Sequence, residues 1–150
     1  VDDKADPEVP SEGVGIYVNN KTGVTIINAY DISVTSTGTV NPYGIGIVNS
    51  TTTSVTTLTN SGSITATTSG AVKRDGNSYG IMLNQATITT FINSGDILGT
   101  SSGYGTARGF NSTNGTVTTF TNSGTIIGTG TANSGETGAY GTYNGIGLYN

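Results

Sequence analysis

Two short blocks recur in fixed order along this chain and constrain its fold more than any other feature. The first reads Leu58-Thr-Asn-Ser-Gly-Ser-Ile64, Phe91-Ile-Asn-Ser-Gly-Asp-Ile97 and Phe120-Thr-Asn-Ser-Gly-Thr-Ile126, with a degenerate earlier copy, Ile26-Ile-Asn-Ala-Tyr-Asp-Ile32. Its marker residues Asn28, Asn60, Asn93 and Asn122 lie 32, 33 and 29 residues apart. The second block precedes each copy of the first: Gly15-Ile-Tyr-Val-Asn-Asn20, Gly44-Ile-Gly-Ile-Val-Asn49, Gly80-Ile-Met-Leu-Asn-Gln85 and Gly109-Phe-Asn-Ser-Thr-Asn114. A fifth copy, Gly145-Ile-Gly-Leu-Tyr-Asn150, closes the sequence. Self-similarity at a period of about 30 residues signals a repeat architecture in which no unit can bury its own apolar face.

Within a unit the hydrophobic period is two. Ile45 and Ile47 fall on one face with Gly46 on the other, and the same parity selects Ile16 and Val18, Ile81 and Leu83, and Ile146 and Leu148. A Thr-rich, β-branched run follows, then Asn-Ser-Gly, then a short strand around the final Ile. The pattern predicts an all-β parallel solenoid, or β-helix, of about four coils over residues 14–150. The predicted core columns are Ile16/Ile45/Ile81/Phe110/Ile146, Ile26/Leu58/Phe91/Phe120 and Ile32/Ile64/Ile97/Ile126. Asn28, Asn60, Asn93 and Asn122 are expected to form a ladder at one corner, each amide bonding to the next coil. Gly62, Gly95 and Gly124 are expected to supply a positive φ at that corner. Length variation between the Ile64, Ile97 and Ile126 blocks and the next Gly block, with three extra residues near Thr51–Ser54, reads as loops.

Composition narrows the chemistry. The 150 residues contain no His, Cys or Trp, so imidazole bases, thiolate nucleophiles, disulfides and Cys/His zinc sites are excluded. Gly (24) and Thr (29) together outnumber the apolar residues, and only 9% of the chain is charged. Residues 1–13 hold five of the nine acids (Asp2, Asp3, Asp6, Glu8 and Glu12) and read as an acidic, flexible arm or linker. The remainder is charge-balanced, with no basic stripe for nucleic acid and no apolar run near the ~20 residues of a membrane helix. No leader is visible at Val1, which reads as a mature or excised chain.

The tandem Asn-Ser-Gly-x-Ile blocks alternating with Gly-Ile-x-hydrophobic blocks resemble the passenger domains of bacterial autotransporters. The resemblance covers roughly Gly15 to Asn150. It implies a right-handed parallel β-helix, export to the bacterial cell surface or medium, and adhesion or self-association. The chain departs from that pattern in carrying no membrane barrel and in stopping partway through a repeat.

The expected function is a non-catalytic stalk or adhesin acting through self-association or contact with a host protein or glycan, with no cofactor and no metal. The alternative is a filament subunit stacking end to end through Gly15, Ile16, Ile146 and Leu148. Lys73 and Arg74, with Tyr79, Tyr104, Tyr140 and Tyr143, are candidate loop contacts. Two minor readings complete the set. Asp31 and Asp96 share a repeat position two coils apart, about 9.6 Å by strand spacing, which makes a polysaccharide-active acid/base pair conceivable. Thr25, Thr57, Thr90 and Thr119 fall in one outward rank, with Thr59 and Thr121 beginning a second that Ile27 and Ile92 interrupt, a device resembling ice-binding solenoids.

Overall fold

The structure, a computed structural model, describes residues 13–37, 40–48, 51–69, 76–102 and 105–130, together with two short strands at 144–145 and 148–149. It is an all-β parallel solenoid. Twelve strands form four rungs of three: β1 (Val14–Asn19), β2 (Val24–Asn28) and β3 (Asp31–Thr37); β4 (Tyr43–Val48), β5 (Ser54–Asn60) and β6 (Ser63–Ser69); β7 (Ser78–Asn84), β8 (Thr87–Asn93) and β9 (Asp96–Ser101); β10 (Ala107–Thr113), β11 (Thr116–Asn122) and β12 (Thr125–Gly130). Corresponding strands stack into three sheets, ordered β1-β4-β7-β10, β2-β5-β8-β11 and β3-β6-β9-β12. Four rungs are joined by about three turns of the chain, slightly fewer than the four coils expected from repeat counting.

The sheet registers place like residues on like. Ile16, Ile45, Ile81 and Phe110 are partners in the first sheet. Ile26, Leu58, Phe91 and Phe120 are partners in the second, and Ile32, Ile64, Ile97 and Ile126 in the third. The interior rungs are completely enclosed: Ile45, Leu58, Ile64, Ile81, Phe91 and Ile97 are all fully buried. Ile16, Ile32, Phe120 and Ile126, on the terminal rungs, are only half-buried. Phe91 is the centre of the aromatic packing, with its ring 4.9 Å from Phe120 and 5.5 Å from Phe110.

The fifth block departs from the expected column. β14 (Leu148–Tyr149) joins β10 with Leu148, not Ile146, opposite Phe110. β13 (Asn144–Gly145) pairs antiparallel with β12, Gly145 facing Gly128, so Gly145 does not extend the rank of Gly15, Gly44, Gly80 and Gly109. Ile146 lies outside the described residues. The third strand of each rung is also longer than a few residues around Ile: β6 runs for seven residues because small Thr, Ala and Ser side chains alternate cleanly in and out.

The leading glycines have a packing reason. A Cβ on Gly15, Gly44, Gly80 or Gly109 would strike the side chain of Ile32, Ile64, Ile97 or Ile126, respectively. The start of the first sheet therefore sits directly on the Ile column of the third.

Candidate functional site: the asparagine corner and the outward faces

At the corner between the second and third sheets, the four marker asparagines form one directional chain of amides. The Asn28 Nδ2 donates to Asn60 Oδ1 at 2.8 Å, Asn60 Nδ2 to Asn93 Oδ1 at 2.8 Å, and Asn93 Nδ2 to Asn122 Oδ1 at 2.7 Å. Each Nδ2 also donates to the carbonyl two residues on, that of Tyr30, Gly62, Gly95 or Gly124. Only a nitrogen can donate there, so this second bond fixes which end of each amide faces which coil. Asn60 and Asn93 are fully buried; Asn122, on the last rung, is exposed. The backbone follows the same scheme, with Ser61, Ser94 and Ser123 N–H groups each donating at 2.8 Å to the preceding coil's Asn carbonyl.

The glycines of this corner do not have the expected positive φ. Among the described residues the left-handed ones are Asn20, Gln85, Asn114 and Gly23, and Asn20, Gln85 and Asn114 share the corner between the first and second sheets. Gly62, Gly95 and Gly124 are there for room. A Cβ on Gly62 would run into the Tyr30 carbonyl oxygen, one on Gly95 into that of Gly62, and one on Gly124 into that of Gly95. In the first rung the equivalent residue is Tyr30, which is 84% exposed. By the same geometry, a coil laid on the first rung in register would put its corner carbonyl against the Tyr30 Cβ.

Of the end-to-end contact residues, Gly15 and Ile16 lie on β1, at one edge of the first sheet, and Leu148 lies on β14, the strand at its opposite edge, paired with β10. Beside the first rung is an open depression of about 440 Å³ lined by Ile16, Val18, Val24, Ile26 and Ile27 with Tyr17, Lys21 and Thr25.

Of the loop candidates, Lys73, Arg74, Tyr104, Tyr140 and Tyr143 lie outside the described residues. Tyr79 does not stand free as a contact ring. It is on β7, 8% exposed, stacked on Tyr43 at 5.7 Å, with the Arg108 guanidinium 6.0 Å from its ring centre. Tyr43, Tyr79 and Arg108 are register partners, so the three side chains stack across adjacent coils. Asn111, which matches a glycosylation sequon, is 2% exposed, and its amide is engaged by Arg108, Met82 and Thr113.

A second asparagine device was missed from the sequence. Asn41 Oδ1 accepts the Asn77 N–H at 2.6 Å, and Asn77 Oδ1 accepts the Thr106 N–H at 2.8 Å, tying the corner between the third and first sheets. Its signal was legible as Asn-x-Tyr-Gly in Asn41–Gly44 and Asn77–Gly80.

The second sheet turns outward the columns Thr25/Thr57/Thr90/Thr119 and Ile27/Thr59/Ile92/Thr121, each in strict register. Asp31 and Asp96 occupy one column of the third sheet with Ser63 between them, and both are exposed. Among the described residues no group of three His, Cys, Asp or Glu is placed to hold a metal ion, and no helix is long and apolar enough to cross a membrane. Comparison with family models, curated proteins and solved structures gave no match to this chain.

Proposed function

We propose that this chain is a non-catalytic β-solenoid segment of a bacterial surface or secreted protein, of the autotransporter-passenger type its repeats resemble. It serves as a stiff stalk whose uncharged polar faces adhere to a host surface or to other copies. The observation that carries this reading is the use made of the repeated polar residues. The marker asparagines are spent on coil-to-coil bonds, the glycines on close approach, and the repeated Ile and Phe on the core. What the repeat delivers to its surroundings is a rod with flat Thr-rich walls. Asp31 and Asp96 are exposed on the outer face of the third sheet, two coils apart with Ser63 between them, which suits solvated polar caps.

The test is display of the 150 residues on a non-adherent bacterium. The expected result is faster sedimentation of the cells or increased attachment to host cells or matrix. A displayed, folded chain that changes neither would overturn the reading.

A further inference from the structure

We propose that the outer face of the second sheet, β2-β5-β8-β11, is a lateral contact surface for a second copy of this chain, arranged with the coil order reversed. This deepens the self-associating reading above and rests on it. End-to-end stacking in register meets Tyr30 at the first rung and the antiparallel β13 beside β12 at the last. A lateral face meets neither obstacle.

Three properties of this face point to a second copy. Its two columns contain only Thr and Ile, so two molecules of formal charge −4 meet there without opposing like charges. The side chains are all β-branched and stiff at χ1, so little rotamer freedom is lost on contact. The third property is size. Down one column the residues run Ile27, Thr59, Ile92, Thr121, bulky and small by turns, with Ile27 73% and Ile92 39% exposed.

A two-fold axis along the strand direction, passing between the second and third rungs, reverses the coil order. It then sets Ile27 against Thr121 of the second copy and Thr59 against Ile92 of the second copy. Every large residue meets a small one, the self-complementarity an isologous interface requires. Thr25 meets Thr119 of the second copy in the adjacent column.

The face is modest. Four strands at about 4.8 Å and five residues at about 3.3 Å give roughly 320 Å² per copy. A stable interface buries about 800 Å² per partner, so the contact is weak for free molecules. It gains strength only where many copies are held side by side, as on a cell surface.

The chain has no cysteine, which permits a clean test. Thr25→Cys and Thr119→Cys variants are mixed at high concentration under mild oxidation, with circular dichroism verifying that each is folded. The reversed arrangement predicts a disulfide between the two variants, at least fivefold enriched over either self-pair. Within that arrangement, the thiols of two Thr25→Cys copies would be three rungs apart, about 14 Å, beyond disulfide reach. Adding Ile92→Lys, at an exposed position on the face, should abolish the enrichment. Equal yields of all three pairs, self-pairs in excess, or enrichment insensitive to Ile92→Lys would each overturn the proposal. So would thermal hysteresis of the unaltered chain that Ile92→Lys removes, which would assign the face to ordered water. Cells displaying the chain that still aggregate or adhere without this cross-link would leave the stalk reading standing and this contact refuted.

Discussion

The first rung and the third are built from the same repeat, yet their asparagine corners tolerate different residues. In the third rung the corner reads Asn93-Ser-Gly95, with Asn93 fully buried and a coil on either side. In the first it reads Asn28-Ala-Tyr30, and Tyr30 projects into solvent. The amide of Asn28 donates forward to Asn60, as those of Asn60 and Asn93 do to the coils that follow them, but among the described residues nothing donates to its Oδ1. What differs is the neighbour on one side. The comparison teaches that glycine in this motif is demanded by the preceding coil, not by the local turn, and that terminal repeats relax what interior ones enforce.

The largest effect expected from breaking that comparison is at Gly95. Gly95→Ala places a Cβ against the carbonyl of Gly62. Because backbone rather than a flexible side chain must yield, the loss should exceed about 4 kcal/mol, or the fold should fail outright. Urea unfolding followed by circular dichroism would measure it, and a loss below about 1 kcal/mol would refute the steric account.

Next is the core. Phe91→Ala empties the position where Phe91, Phe110 and Phe120 meet and should cost about 3–5 kcal/mol. Phe120→Ala, on the half-buried last rung, should cost roughly half as much. Equal losses would mean that the terminal rung is as tightly enclosed as the interior.

Asn93→Ala should cost about 2–3 kcal/mol, because it leaves both Asn60 Nδ2 and Asn122 Oδ1 without their partner in the ladder. Asn122→Ala removes one link at an exposed end and should cost about 1 kcal/mol or less. Thermal unfolding of the two variants side by side would test the difference. Equal shifts in Tm would show that burial of the ladder contributes nothing.

Most of the fold was legible because its information is periodic. The spacing of Asn28, Asn60, Asn93 and Asn122 identifies a coil, and period-two alternation in blocks such as Gly44-Ile-Gly-Ile identifies strands that must stack. The register of the three columns then follows from aligning the blocks. What was not legible is non-local. Nothing at Gly62 distinguishes a positive φ from a missing Cβ, because the deciding atom is the Tyr30 carbonyl, 32 residues earlier. The left-handed residues at the other corner, Asn20, Gln85 and Asn114, lack glycine's signal, although Asn adopts that region readily. Tyr79 reads as a loop aromatic because the sequence cannot show that Tyr43 and Arg108 stack beside it. The pairing of β14 through Leu148 depends on where a variable-length loop returns, which repeat spacing does not encode.

The smallest expected effect is the sharpest. Tyr30→Gly restores the interior residue at the one corner position that has no described coil on its preceding side. If the corner glycines served a turn conformation, this change would stabilise the first rung. If they serve only close approach, Tyr30→Gly gains nothing and should cost at most about 1 kcal/mol, through the added freedom of the unfolded chain. Denaturant midpoints measured beside Gly95→Ala decide between these accounts, since the two variants exchange side chain and hydrogen at equivalent sites. A neutral or slightly destabilising Tyr30→Gly with a ruinous Gly95→Ala leaves the neighbouring coil as the only difference between them. A stabilising Tyr30→Gly would return the motif to local turn chemistry and remove the reason for regarding the first rung as closed to an in-register coil.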